Sequence, residues 1–242
     1  YNVVTVTPRE LTITASSTSK TYGETVTFTG TEPDFTKVGN QGDDAFTVTL
    51  TSTGAVDTAN AVDHNIVPSS AVAVSSNDFD LSNYNLNYVS GTLTVNRKAL
   101  TLTGLTAEDK IYDGDNVATI SSYGSLSWIL SFDIVDGNAQ VNLKDSSLLP
   151  SAVFSDKNVN GDEAVKTVTS PLTDSHLDGS KAANYSIGDQ TTNNAKILKR
   201  ELTLQANKVF DGTRVIENGE ITLGNYATLG GAEELVISNA NS

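Results

Sequence analysis

The stretch TLTVNRKALTLTG, residues 92–104, contains the pattern from which the fold class of this chain is predicted. Leu93 and Val95 alternate with polar residues before a basic pair, and Leu100 and Leu102 alternate with threonines after it. Because successive side chains of a strand point to opposite faces of the sheet, each alternating set places its apolar members on one face. The stretch therefore predicts two strands joined across the basic pair.

The same pattern occurs twice more, as VVTVTPRELTITA from Val3 and as NAKILKRELTLQA from Asn194. Repetition at a period close to the length of a domain is typical of tandem modules. The corresponding apolar positions are Val4 and Val6, Leu93 and Val95, and Ala195 and Ile197 in the first strand, and Leu11 and Ile13, Leu100 and Leu102, and Leu202 and Leu204 in the second.

Each copy is followed by a short signature that combines a lysine with an aromatic residue. It reads KTYGE from Lys20, KIYDG from Lys110 and KVFDG from Lys208, so the second signature lies 90 residues after the first and the third 98 residues after the second. A third phrase precedes two of the strand pairs, as SNYNLNY from Ser82 and as ANYSIGD from Ala183. Three phrases in one order predict an array of repeated domains.

This order predicts four segments. Residues 1–7 are expected to be the last strand of an upstream repeat, 8–97 and 98–199 two full repeats, and 200–242 the start of a truncated third. No Gly/Ser spacer separates the repeats, so neighbouring domains should be connected semi-rigidly. The chain contains no Met, and we expect an internal piece of a longer protein or a processed chain.

The composition favours strands over helices. Val, Leu, Ile and Ala are interleaved with many Thr and Ser residues, and β-branched side chains fit a pleated, half-buried surface. The predicted strands include 9–15, 25–29, 84–89 and 92–96, and no stretch offers twelve residues of clean amphipathic helix. The expected fold class is mainly β, with tandem small β-rich modules in an elongated array.

The charge and the cysteine count exclude several classes of function. A formal net charge of -14 repels phosphate backbones and anionic lipid surfaces, so we expect neither nucleic-acid binding nor membrane insertion. Without Cys, neither disulfides nor thiolate metal sites can form. The most apolar run, SWILSF from Ser127, is far too short to span a bilayer.

The ordered phrases resemble two known repeat families. The signature K-[IV]-[YF]-D-G, the stretch FSDKNVNGDEAVKTVT (Phe154–Thr169), SKAANYSI and the closing KRELTL resemble the YDG-type repeat. KTYGE followed by NYNLNYVSGTLTVNRKALTLT resembles the MBG repeat of the YGX type. Together the two resemblances cover essentially the whole chain.

The resemblance implies a tandem module of bacterial surface and secreted proteins, chiefly large adhesins and filamentous-haemagglutinin-like exoproteins. It implies β-grasp-like or sandwich-like domains and an extracellular or bacterial cell-surface location. The family carries no catalytic residues that could be transferred to this chain. The first repeat departs from the YDG pattern, because Gly23 follows Tyr22 directly with no Asp between them.

Three acids, Asp109, Asp113 and Asp115, crowd the second signature and are candidate ligands for a structural calcium ion, which prefers oxygen ligands. Their spacing does not match an EF-hand loop. The alternative is an Asp-Gly turn, in which the acids accept local backbone hydrogen bonds and Gly114 takes a positive φ. No other cofactor is expected.

Five aromatic residues recur at corresponding places and are predicted to anchor the cores of the modules. A platform on which sugars stack is the alternative for the same residues. The predicted anchors are Tyr22, Tyr112, Phe210, Tyr84 and Tyr185.

The function that these observations favour is a structural stalk that presents a binding region away from the cell. The alternative is that the repeats themselves bind host glycans or glycoproteins. An enzyme is not expected, because His64 and His176 fall at different places in the repeats and no nucleophile motif is present. Expected partners are neighbouring repeats of the same chain, surface glycans or proteins of a host or a neighbouring cell, and another molecule that exchanges strands through residues 1–7.

Overall fold

Alternating apolar and polar residues form short β-strands along most of the chain. The computed structural model describes residues 6–42, 44–74, 80–212 and 221–224, without the side chains of Asp162 and of residues 221–224. Within these ranges the regular structure consists of strands and of three-residue 3₁₀ turns, and no α-helix is found. The 3₁₀ turns are Leu81–Asn83, Ser131–Asp133, Ser146–Leu148, Gly161–Glu163, Asp174–His176 and Ala182–Asn184.

The first repeat forms two sheets. In the first sheet, β1 lies between β3, its antiparallel neighbour, and β6, its parallel neighbour. The second sheet has the order β2-β7-β5-β4, with β2 and β7 parallel and the other pairs antiparallel. The strands are β1 (Arg9–Ala15), β2 (Thr18–Thr21), β3 (Phe35–Val38), β4 (Phe46–Thr51), β5 (Asp63–Ala73), β6 (Tyr84–Val89) and β7 (Gly91–Asn96).

The core of the first repeat follows the alternation predicted from the sequence. Every second residue of β1 is buried, including Leu11 and Ile13, and the same holds for Leu93 and Val95 in β7. The predicted apolar faces of these strands are therefore confirmed. The rings of Phe35 and Phe46, one from each sheet, stack with their centroids 5.5 Å apart.

The second repeat contains more and shorter strands. Its largest sheet has the order β12-β18-β19-β22 and is antiparallel throughout. The strands are β8 (Lys98–Ala99), β9 (Thr101–Thr103), β10 (Thr106–Ala107), β11 (Lys110–Ile111), β12 (Val117–Ala118), β13 (Ile120–Ser122), β14 (Ser125–Ser127), β15 (Ile134–Val135), β16 (Asn138–Ala139), β17 (Asn142–Leu143), β18 (Ala152–Phe154), β19 (Lys166–Ser170), β20 (Leu177–Asp178), β21 (Tyr185–Ser186), β22 (Gln190–Ala195) and β23 (Ile197–Leu198).

The contacts divide the chain into two compact units. The first unit contains Tyr1–Leu100, Trp128–Leu143 and Leu177–Ile187, so two segments of the second repeat belong to it. The second unit contains the remaining ranges, Thr101–Ser127, Lys144–His176 and Gly188–Ser242. The core of the second unit consists of Ala107, Ala118, Ala152, Phe154, Val168, Ala195 and Ile197.

The strand predicted after the basic pair at 97–98 is divided in the structure. It forms β8, which pairs with β21, and β9, which pairs with β14, while the Leu100 amide donates to the carbonyl of Ser186. The boundary between the two units falls directly after Leu100. A single alternating pattern therefore serves two different sheets.

The strand predicted at 25–29 is wrong. This segment alternates like a strand but is not paired with another strand. Its amides bond elsewhere: the Val26 amide donates to the carbonyl of Ala55, and the Thr29 amide donates to the Asp34 carboxylate. The neighbouring strands of the first repeat are β2 and β3, on either side of this segment.

The predicted terminal segments are described only in part. Residues 1–5 of the predicted strand 2–7 lie outside the described residues, and residues 6–7 are not in a strand. In the third repeat, β24 (Thr203–Ala206) pairs antiparallel with β25 (Ile221–Gly224). Within the ranges that are described, no helix is long and apolar enough to cross a membrane.

Candidate functional site

The lysine–aromatic signature lies in the same structural position in both full repeats. In the first repeat, Lys20 on β2 is paired with Val95 on β7, and the Tyr22 amide donates to the carbonyl of Asn96 over 2.8 Å. In the second repeat, Lys110 on β11 is paired with Ile197 on β23, and the Tyr112 amide donates to the carbonyl of Leu198 over 2.9 Å. The first two residues of the signature thus lie in a short strand that runs parallel to the closing strand of its own repeat.

The lysine of each signature fastens the loop that follows it. The Lys20 ammonium is almost fully buried and donates to the carbonyls of Glu24 and Val56. Burial lowers the pKa of Lys20, although the nearby carboxylates of Asp57 and Glu24 oppose this shift. The side chain therefore stabilises the turn from inside rather than covering the surface.

Lys110 also donates hydrogen bonds to the loop that follows its signature, but here the acceptors include two carboxylates. Its Nζ lies 2.6 Å from Asp115 Oδ1 and 2.7 Å from Asp113 Oδ1, and it also donates to the carbonyl of Val117 over 3.0 Å. Burial disfavours the charge of Lys110, but the hydrogen bonds to Asp113 and Asp115 outweigh it and raise the pKa of the lysine. The Lys110 hydrogen bond and the Val117 amide lower the pKa of Asp115.

The three acids predicted as calcium ligands do not converge on one point. Asp109 Oδ1 instead accepts the Lys196 amide over 2.9 Å, while Asp113 and Asp115 both face Lys110. In the part of the chain that the structure describes, no group of three or more acidic or histidine side chains forms a metal site. The calcium site remains a prediction, to be checked by the melting temperature with calcium and with a chelator. The geometry favours the Asp-Gly turn, with Gly114 at φ +91°.

The predicted aromatic anchors lie in different environments. Tyr22 and Tyr185 are fully buried, and Tyr112 is partly buried against the core of the second unit. Tyr84 is half-buried. Phe210 differs from the expectation, because 90% of it is exposed. In the described residues of the third repeat, no closing strand corresponds to β7 or β23, so nothing there covers the signature ring.

A buried aspartate links two of these anchors within the first unit. Asp133 is 1% exposed; its Oδ1 accepts the Tyr22 hydroxyl over 3.1 Å and its Oδ2 accepts the Tyr185 hydroxyl over 2.6 Å. The Tyr22 ring contacts the rings of Tyr185 and Phe132 edge to face, with centroids 5.5 and 5.8 Å apart. We call Tyr22, Asp133 and Tyr185 the tyrosine–aspartate cluster. It combines a signature residue of the first repeat with two residues of the second.

The hydrogen bonds of the cluster use both oxygens of the Asp133 carboxylate as acceptors. Each hydroxyl has one hydrogen and donates it to a different carboxylate oxygen, and the Tyr185 oxygen also accepts the Leu130 amide over 3.0 Å. Burial, followed by the Asp133 hydrogen bond, raises the pKa of Tyr22 to about 12 and raises that of Tyr185 as well. Both tyrosines therefore remain neutral donors.

Asn184 extends this network to the first repeat. Its Oδ1 accepts the Ala61 amide over 2.9 Å, and its Nδ2 lies 3.1 Å from Asn60 Oδ1. In the sequence, Asp133 stands only as one of several acids in short acidic clusters that could form a second-tier ion site between modules, and Asn184 only as a residue that recurs with Asn83 alongside the signature lysines. The contact of Asp133 with two tyrosines and the burial of Lys20 were not predicted. The available signals were an acid inside the apolar run SWILSFDIV and the asparagine that precedes the recurring tyrosine.

The fold and these shared contacts define a class of protein, namely tandem β-rich modules built around a lysine–aromatic signature. Two family models match the chain: an MBG domain of the YGX type over residues 11–94 and a YDG domain over residues 96–193. The chain therefore carries an MBG-type repeat followed directly by a YDG-type repeat, as the resemblance predicted. Comparison with curated proteins and with solved structures found no match. The two module types indicate the repeat region of a surface protein.

Proposed function

We propose that the chain is a structural stalk segment of a large bacterial cell-surface or secreted adhesin, which presents a binding region away from the cell. The observation that carries this proposal is the pairing of early and late strands in each repeat. In the first repeat, β1 is parallel to β6 and β2 is parallel to β7. In the second, β8 is parallel to β21 and β11 is parallel to β23.

Parallel neighbours near opposite ends of a module resist tension in a particular way. When the ends are pulled apart, the two strands slide past each other, and all of their hydrogen bonds are loaded at once because these bonds lie across the strands. The β1–β6 ladder holds six residue pairs and the β2–β7 ladder holds four. A hairpin pulled open from one end loses its hydrogen bonds one after another. Shear loading is therefore the mechanically stronger arrangement and suits a stalk.

The direct junction of the two repeats also supports a load-bearing role. The closing strand β7 ends at Asn96 and β8 begins at Lys98. A flexible spacer would let the modules reorient when the chain is pulled. A junction of one residue instead passes the pulling force directly from one module to the next.

Single-molecule force spectroscopy tests the proposal, because the chain has no native Cys and handles can be attached at engineered cysteines. Pulling through Thr7→Cys and Arg97→Cys loads the β1–β6 and β2–β7 ladders in shear. Pulling through Thr47→Cys and Val72→Cys opens the antiparallel β4–β5 pair from one end. We expect a several-fold higher unfolding force in the first geometry. Equal forces in both geometries would remove the mechanical argument for a stalk.

We place this function outside the cell and expect no catalysis. The contacts of the two histidines agree with a structural role: His64 Nδ1 lies 3.1 Å from Thr53 Oγ1 and its Nε2 3.0 Å from the carbonyl of Asn60. His176 Nδ1 accepts the Thr173 amide over 2.9 Å. Both rings thus fasten local turns.

Glycan binding by the repeats is the second candidate function. Trp128 is 68% exposed and offers an indole surface on which a sugar ring can stack. A separate polar cleft of about 590 Å³ is lined by Thr51, Ser52, Thr53, Asp63, His64, Asn65 and Val67. A glycan array with the wild-type chain and with Trp128→Ala and Asp63→Ala variants tests both places. Binding that either variant abolishes would favour this function, and no binding on a broad array would exclude it for this segment.

A further inference from the structure

One hydrogen-bond arrangement occurs twice in the first unit. In the second repeat, the Tyr185 hydroxyl donates to Asp133 and accepts the Leu130 amide. In the first repeat, the Tyr84 hydroxyl donates to Asp44 and accepts the Gln41 amide over 3.1 Å. In both turns the aspartate amide donates to the carbonyl three residues earlier, over 2.9 Å from Asp133 and 3.2 Å from Asp44.

The two arrangements occupy equivalent places in their repeats. Asp44 follows the signature aromatic residue of its repeat by 22 residues, and Asp133 follows its own by 21. Tyr84 begins β6 and is paired with Arg9 at the start of β1, while Tyr185 begins β21 and is paired with Lys98 at the start of β8. The Asp44–Tyr84 pair is therefore the first-repeat counterpart of the Asp133–Tyr185 pair.

The two pairs differ in what covers them. Asp133 and Tyr185 are 1% and 0% exposed, because Tyr22 lies on them with its ring against Tyr185 and its hydroxyl on Asp133 Oδ1. Asp44 and Tyr84 are only half-buried. The covering residue, Tyr22, belongs to the signature of the preceding repeat. The second repeat thus receives the signature tyrosine of the repeat before it.

From this correspondence we propose that the Asp44–Tyr84 pair is a docking site for the signature tyrosine of a repeat that precedes residue 8 in an array. The incoming ring lies edge-on against Tyr84, and its hydroxyl donates to the Asp44 carboxylate, as Tyr22 does with Tyr185 and Asp133. A carboxylate accepts hydrogen bonds and cannot donate them, so a signature tyrosine fits this site better than a signature phenylalanine such as Phe210. This inference concerns how successive repeats join, and it does not depend on adhesion.

The alternative is that the Asp44–Tyr84 pair only fastens its own turn. Two copies of the chain distinguish these possibilities when Lys199 of a leading copy is ligated to Arg9 of a following copy. This junction restores the sequence K-R-E-L-T that occurs naturally at 199–203. Only the following copy carries an isotopic label, so its amides are observed alone by NMR.

Hydrogen exchange at the amides of Gln41 and Asp44 is the readout, because both are part of the turn that would be covered. In the single chain we expect these amides to exchange faster than their counterparts at Leu130 and Asp133. In the ligated chain we expect their exchange to slow by about tenfold or more, since a hydrogen bond to a charged group contributes about that factor to an equilibrium. The amides of Leu130 and Asp133 serve as the internal control and should not change.

The conservative variant Tyr112→Phe in the leading copy removes the docking hydroxyl and keeps the ring. We expect amide exchange at Gln41 and Asp44 in this ligated variant to be faster than in the ligated wild type and close to the rate in the single chain. Unchanged exchange at these two amides on ligation, with Leu130 and Asp133 still protected, would overturn the proposal and leave only the local turn.

Discussion

Replacing Asp133 by Asn should destabilise the first unit strongly, although it changes one atom. The carboxylate is 1% exposed and accepts hydrogen bonds from Tyr22 and Tyr185. An Asn side chain keeps one acceptor oxygen and presents an NH₂ group to the other hydroxyl, which then has no acceptor for its own hydrogen. A lost hydrogen bond to a charged group costs about 1.5–3 kcal/mol and an unsatisfied buried donor about 1–3 kcal/mol. The neutral Asn no longer requires a charge to be buried, which offsets part of this cost. We therefore expect the free energy of unfolding to fall by about 3 kcal/mol.

Urea denaturation followed by circular dichroism and by the fluorescence of Trp128, the only Trp, measures this loss. Asp44→Asn is the matched control. It removes the same charge from the same kind of turn, but at a half-buried site where water can replace the lost partner. We expect about 1 kcal/mol or less for the control. A loss below about 1 kcal/mol for Asp133→Asn, or equal losses for both variants, would mean that the two tyrosine hydroxyls do not depend on the buried carboxylate.

Three further predictions concern stability. The pKa of Tyr22 is raised to about 12 in the folded chain, so the stabilisation that this shift gives to the folded state should be fully present below pH about 10. It should be lost as the pH rises through about 12. Urea titrations at alkaline pH should therefore show a smaller pH dependence of the free energy of unfolding for Tyr22→Phe than for wild type. Gly23→Ala should lower the free energy of unfolding by roughly 1–3 kcal/mol in thermal denaturation, because φ is +95° and a Cβ would lie 2.6 Å from a methyl of Leu130. Gly42→Ala is the control: Gly42 has φ +51° and lies in open space, so the loss should be about 1 kcal/mol. Phe154 is 1% exposed, so Phe154→Ala should lower the free energy of unfolding by about 3–5 kcal/mol. Phe210 is 90% exposed, so Phe210→Ala should lower it by less than about 0.5 kcal/mol. Similar urea midpoints for the two variants would contradict this difference.

The sequence predicted the strands that bury one face and failed where alternation has no partner strand. Leu11, Ile13, Leu93 and Val95 are buried as expected, because a period of two is a property of the strand itself. The segment 25–29 has the same alternation without a strand, since ladder formation also requires a neighbour at the right distance.

The candidate site was predictable to a smaller extent. Repetition alone identified Tyr22 and Tyr185 as anchors, but it also identified Phe210, which is exposed. The sequence offers the acids of the second signature as ligands for an ion, a prediction that melting with calcium and with a chelator tests, but it does not predict that Lys110 contacts both Asp113 and Asp115. Whether a lysine or a metal ion faces two carboxylates depends on side-chain directions, which sequence spacing does not determine.

The order of the repeats, the buried faces of β1 and β7 and the two module types follow from the sequence alone, because they depend on local periodicity and on phrases that recur along the chain. The contact of Asp133 with two tyrosines, 111 and 52 residues away in the chain, depends on how the backbone folds over longer distances. A buried acid becomes stable only when donors surround it, and the path of the backbone brings those donors together. The same path assigns two segments of the second repeat to the first compact unit, an arrangement that no local pattern predicts.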